Sequence, residues 1–248
     1  VSLRAVLGCC SLLVGCSGLS REPVQPGSAE DFVRARETLQ RLAEETATSR
    51  TQTVQLSMSA PYLPSEVSSR GAVALRPPGE LRMILLGPGG ATALDVWISG
   101  QRYRLEIPAL ERVVSGSTNA ELQQERGLPI GFLRWWLLHP FSARLQAARP
   151  REGGLELLLR DEDGATIELW LQPDGSISAT RSSVRRRDGE IVRLDEETVH
   201  ASKAGCGEVR YSQRSTRLTS TVRCESERGT VNAKAFEQPQ AVCRGPAC

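Results

Sequence analysis

Residues 94–107 read Leu94-Asp-Val-Trp-Ile-Ser-Gly-Gln-Arg-Tyr-Arg-Leu-Glu-Ile107. In the second half, Tyr103, Leu105 and Ile107 alternate with Arg102, Arg104 and Glu106. In the first half, Leu94, Val96 and Ile98 recur at the same spacing. A period of two places each set on one face of a strand. Ser99-Gly100 between the halves supplies a turn, so the stretch predicts an antiparallel hairpin with one apolar face.

The same period extends upstream. Val54, Leu56 and Met58 alternate with Gln55 and Ser57, and Val73, Leu75, Leu81, Met83 and Leu85 follow, with turn signals at Pro77-Pro78-Gly79 and Gly87-Pro88-Gly89-Gly90. No helical stretch separates these strands, which argues against a parallel βαβ sheet. Before them, residues 28–50 predict a helix. Ser28 is the N-cap, with Asp31 three residues on. Phe32, Leu39 and Leu42, with Ala35 and Ala43 contributing less, mark one apolar stripe.

Downstream the pattern breaks. Residues 109–114 and 119–126 read as short helices. The most apolar stretch after residue 16 then runs to residue 141 and holds Phe132, Leu133, Trp135, Trp136, Leu137 and Leu138. Pro140 stops that helix. Strands resume near 154–160, 165–172, 176–187 and 190–201, with turns at Asp161-Glu-Asp-Gly164 and Pro173-Asp-Gly175. Weaker strands are expected near 207–214, 217–225 and 229–236. So many antiparallel strands in one sheet must curl or close. A curled sheet has a concave apolar face, and the N-terminal helix and the 132–138 segment are the available covers. The predicted class is α+β.

The N-terminus points to export. Residues 1–16 are Val1-Ser-Leu-Arg-Ala-Val-Leu-Gly-Cys-Cys-Ser-Leu-Leu-Val-Gly-Cys16. One positive charge, Arg4, precedes an apolar run of about ten residues, the length of a signal-peptide core. Spanning a bilayer takes about 20. Leu13-Val14-Gly15-Cys16 resembles the lipobox of bacterial lipoproteins. The resemblance implies cleavage before Cys16, a diacylglycerol thioether on its sulfur, and residues 1–15 as the signal peptide. Residues 16–27 are rich in Gly, Ser and Pro and read as a tether. Ser17, in place of the Asp that retains such lipoproteins at the inner membrane, implies the outer membrane, periplasmic face.

Formal net charge is +2, and the basic residues form no patch suited to nucleic acid. The run Arg185-Arg186-Arg187 suits anionic lipid but equally a solvated turn. Of seven cysteines, Cys206, Cys224, Cys243 and Cys248 lie beyond the tether. Four cysteines in an exported domain predict two disulfides, with three connectivities open. Cys206–Cys224 closes a hairpin-sized loop and Cys243–Cys248 pins the tail, so this pairing is favoured. Zinc and free tail thiols are the alternatives, but for zinc the spacing is not C-x-x-C and neither His139 nor His200 is near in sequence. No metal, cofactor or catalytic residue is expected. The chain has two histidines, and it has neither a G-x-S-x-G elbow nor H-E-x-x-H.

Gly71-Ala-Val-Ala-Leu-Arg-Pro-Pro-Gly-Glu-Leu-Arg82 resembles the strand–turn–strand of the LolA/LolB superfamily of periplasmic lipoprotein carriers, and the turns at 87–90 and 99–101 fall where that family has its next ones. The resemblance implies a half-barrel of about eleven strands over residues 28–236 with a mid-chain helical lid, and a cysteine-containing tail at 237–248. It also implies a cradle for acyl chains or other lipoproteins, lined by Phe32, Leu39, Leu94, Val96, Tyr103, Leu105, Ile107, Phe132, Trp135 and Trp136. Arg82 matches the arginine that latches the lid. With its lipid anchor the chain is more like the receptor LolB, which takes cargo from a soluble periplasmic carrier. Its protruding loop has two candidates, Leu85-Leu86-Gly87-Pro88 and Pro61-Tyr62-Leu63-Pro64. The family's aromatic-rich turn after the third strand is missing. The competing expectation is an anchored scaffold or an RseB-like sensor with a collapsed interior, in which Trp135 and Trp136 are simple core.

Overall fold

The computed structural model describes residues 27–61, 65–117, 132–138, 141–162, 164–187 and 190–239, apart from the side chains of 110, 132, 134 and 184–194. Cys16, Ser17 and nearly all of the tether, residues 62–64 and 119–126, His139, Pro140, Cys243 and Cys248 lie outside these residues, as do the side chains of Phe132 and Arg185 to Arg187.

Helix α1 spans Ala29–Thr46. Ser28 and Asp31 close a capping box: Ser28 Oγ accepts from the Asp31 amide at 3.1 Å, and Asp31 Oδ2 accepts from the Ser28 amide at 3.1 Å. Ala35 and Leu39 are buried, with Leu42 and Ala43 packed beside them. Phe32 departs from the expected stripe and is 37% exposed. It sits in the first turn, at the margin of the sheet, where the Gly27 amide donates to Ala148 O of the edge strand at 2.8 Å. The apolar period is right, but the helix start has little sheet beneath it.

Among the described residues thirteen strands form one antiparallel sheet. They are β1 Arg50–Ser59, β2 Val67–Arg76, β3 Glu80–Leu86, β4 Thr92–Ser99, β5 Arg102–Ile107, β6 Arg112–Ser117, β7 Arg144–Arg151, β8 Gly154–Arg160, β9 Thr166–Leu171, β10 Ile177–Arg187, β11 Glu190–Ala201, β12 Glu208–Gln213 and β13 Leu218–Arg228. Their order is β6-β5-β4-β3-β2-β1-β13-β12-β11-β10-β9-β8-β7. Two meanders therefore join where β1 pairs with β13. The sheet stays open, with β6 and β7 as its edges. The chain between those edges carries a wide π-type helical turn, Phe132–Leu138.

The strand count exceeds the expected eleven for two identifiable reasons. Residues 109–114 were expected to be helical. Instead a short 3-10 turn, Pro108–Leu110, ends at Glu111 in the left-handed region (φ 48°), and the β-branched pair Val113-Val114 pairs with β5 as β6. β7 reads Arg-Leu-Gln-Ala-Ala-Arg-Pro-Arg, with no apolar alternation to announce it. Its Pro150 is tolerated because the strand is at an edge. Residues 229–236 do not extend the sheet. Ala233–Phe236 form a 3-10 turn capped by Asn232, and buried Phe236 packs on the outer face of β3 and β4. There Trp97 Nε1 donates to Phe236 O at 2.8 Å, and the Arg76 guanidinium stacks 4.3 Å from the Phe236 ring.

Cys206, in the β11–β12 loop, is bonded to Cys224 on β13 with the Cα atoms 5.1 Å apart.

Candidate functional site

Register builds the inner face residue by residue. Val73 and Leu75 of β2 stand opposite Met83 and Leu81 of β3, which stand opposite Val96 and Ile98 of β4. Those in turn face Leu105 and Tyr103 of β5. Leu94 lies opposite Leu85. The expected set Leu94, Val96, Tyr103, Leu105 and Ile107 is thus one contiguous patch, joined through the core to Leu39 of α1. The second meander continues it with Leu157, Leu169, Ala179, Val199 and Val209, all buried.

The lid covers this face. Trp135 and Trp136 are each 6% exposed, and Leu133, Leu138 and Phe141 are buried with them. Trp135 and Trp136 meet edge-to-face with ring centroids 6.0 Å apart, and Trp136 meets Phe141 at the same separation. Trp135 Nε1 has no hydrogen-bond partner.

Arg82 stands on the opposite face. The alternation that turns Leu81 and Met83 inward turns Arg82 outward beside Trp97. There it bonds Asp95 Oδ2 at 2.5 Å. Burial pushes the Asp95 carboxyl up from its ordinary value, against the pull of Arg82. The guanidinium is engaged on the outer face, away from the lid.

A different arginine faces inward. Arg50 opens β1 opposite Leu75, and Gln52, Val54 and Leu56 follow on the same face. Arg50 Nη1 donates to Thr46 O at 2.6 Å and Thr48 O at 3.1 Å, capping the end of α1. Its Nε lies 3.6 Å from Glu227 Oε2 and has no hydrogen-bond partner. Burial pulls the Arg50 guanidinium down from its ordinary value, and Glu227 opposes that. The sequence reading placed Arg50 at the end of the helix. The signal that finds it is the period of two running back from Leu56.

A second polar cluster sits at the far end of the inner face. Arg181 Nε bonds Asp161 Oδ2 at 2.8 Å and its Nη1 bonds Glu197 Oε2 at 3.0 Å. Tyr211 donates to Glu197 Oε1 at 2.7 Å. Arg181, Glu197 and Tyr211 are all buried.

Beneath the lid, Arg50, Gln52, Trp136, Phe141, Val209 and Val222 border a cavity of about 30 Å³, room for a small polar group. A larger groove, about 400 Å³, lies on the outer face among Ser57, Ser68, Glu208, Arg210 and Arg223. It is polar and solvated, and Arg223 and Arg210 hold the Glu208 carboxyl below its ordinary value. His200 touches Ser178 Oγ at 2.9 Å on that same exposed face. Among the described residues no group of three His, Cys, Asp or Glu is placed to hold a metal. No described helix is long and apolar enough to cross a membrane.

No family model and no curated protein matches the chain. Solved structures do. A domain from Vibrio parahaemolyticus, provisionally assigned to outer membrane lipoprotein sorting, superposes with a TM-score of 0.50 at 10% identity, covering 85% of this chain and 97% of that one. A DUF1329 family protein from Desulfovibrio piger gives 0.50 at 10%, covering 84% and 97%. The chain shares its fold with these two structures. A LolA superfamily protein from Nitrosomonas europaea is similar over 82% of this chain and 97% of its own, at 11% identity and a TM-score of 0.48.

Proposed function

We propose that this chain is an outer-membrane lipoprotein of LolB-like type that binds acyl chains, or the acyl chains of other lipoproteins, without covalent chemistry. The supporting observation is the continuous apolar inner face of an unclosed sheet, covered by a lid that is a separate segment of chain. Burial supplies the affinity, at about 0.8 kcal/mol per methylene. Cys16 carries the anchor, residues 16–27 the tether, and 28–236 the binding domain, with a soluble periplasmic carrier as partner. A coil of about a dozen residues reaches roughly 20 Å, which keeps the cradle near the membrane.

The test uses the full chain with Cys16→Ser, so that no lipid of its own competes. A fluorescent acyl probe is expected to bind saturably, and lipid is expected in extracts of the native anchored protein. Absence of both ends this reading. The close packing of Trp135, Trp136 and Phe141 favours a second one, an anchored scaffold or sensor with a permanently filled interior. Under that reading the lid does not move and the probe does not bind.

A further inference from the structure

The inner face of β1 changes character along its length. Arg50 and Gln52 come first, and Val54, Leu56 and Met58 follow on the same face. At about 3.3 Å per residue the charged end and the apolar end are roughly 26 Å apart. One strand therefore presents a cation, then an amide, then an apolar stripe.

The charge at the head of that stripe is under-compensated. The Arg50 side chain is 6% exposed, whereas Glu227, the carboxylate nearest it, is 37% exposed and stands at 3.6 Å without a hydrogen bond from Nε. Glu227 Oε2 is already bonded to Gln52 Nε2 at 2.7 Å. The Nη1 bonds go to neutral carbonyls. A buried cation with an unused donor stays costly until an anion reaches it. The adjoining cavity of about 30 Å³ has room for a small polar group such as a carboxylate. Its far wall is lid, Trp136 and Phe141, so lid displacement opens it directly onto the apolar stripe.

We propose that Arg50 is the head-group site of the cradle, receiving the carboxylate of a long-chain fatty acid whose tail lies along Val54 and Leu56 in the place the lid aromatics now fill. This rests on the acyl-binding reading above and adds to it a ligand class and a direction of binding. Gln52 flanks the carboxylate. Glu227 tempers the site, since its like charge opposes the ligand.

Myristic acid and its methyl ester differ only at the head. Each is titrated against the fluorescent acyl probe on the full chain with Cys16→Ser at pH 8. The acid is expected to bind about tenfold more tightly than the ester, the worth of one charge-assisted hydrogen bond. Arg50→Gln should abolish that preference, so that acid and ester bind equally. A merely structural cap on α1 would weaken both ligands together or neither. Glu227→Gln should raise the acid's affinity a few-fold relative to that of the ester. Equal binding of acid and ester overturns the head-group site while leaving the acyl cradle standing. If neither binds, the cradle falls and this site with it.

Discussion

Tyr211 donates its hydroxyl hydrogen to Glu197 Oε1 across 2.7 Å, on the inner face of the sheet, and Arg181 holds the other oxygen of the same carboxylate. Burial, and then the Glu197 charge, drive the phenol far above its ordinary value of 10.0. A group whose folded value is raised contributes stability below its unfolded value and loses it as pH climbs beyond. The protein should therefore weaken from about pH 10 upward. Tyr211→Phe should remove that alkaline sensitivity and cost roughly 1–3 kcal/mol at neutral pH, because Glu197 loses a buried donor. Urea unfolding at pH 7 and pH 10.5 measures both. An unchanged alkaline slope in the variant would count against the assignment.

The Cys206–Cys224 bond ties the β11–β12 loop to β13 across a sequence separation of 18. Closing a loop of that size is worth about 3 kcal/mol. The double substitution to serine should lower the urea midpoint accordingly, and reducing agent should reproduce the loss in the parent chain. If reductant has no effect on the parent, the bond does not form in solution.

Trp136 wedges the lid between Phe141 and Trp135. Trp136→Ala should cost roughly 3–5 kcal/mol as a buried-aromatic truncation. It should also tighten acyl-probe binding by about tenfold, since a ligand that must displace the lid meets a weaker competitor. Thermal melts and probe titrations on the same sample check both directions. Weaker binding in the variant would mean that the ring is part of the acyl seat and not its rival.

Gly71 of β2 lies close against the backbone of β3. A Cβ there would fall 1.9 Å from Ile84 O and 2.8 Å from Leu85 Cα. Gly71→Ala must push the strands apart and should cost at least about 1–3 kcal/mol, visible as a lower midpoint with unchanged secondary structure by circular dichroism. The glycine that begins the stretch resembling the carrier family thus has a packing reason to be there.

The residues alone determined what is local. Alternation assigned an inward and an outward face to each of β1 to β5, and the capping pair Ser28 and Asp31 set the start of α1. Both depend on backbone geometry over a few residues. The tertiary structure decided everything that depends on what lies opposite. The β1–β13 pairing brings Arg50 towards Glu227, far away in the chain, and no local pattern encodes it. Arg50 and Arg82 are the same chemical group on two strands of one meander, β1 and β3. One is buried beneath a lid and the other is bonded to Asp95 outside, because a strand's face acquires meaning only when something covers it. Phe32 lost its place in the core for the same reason. β7 stayed hidden because an edge strand with one neighbour and a proline has little need of an apolar period. The inner surface was legible as a stripe. That it is roofed by Trp135 and Trp136, and that a buried guanidinium stands at one end of it, follows only from how the sheet curls.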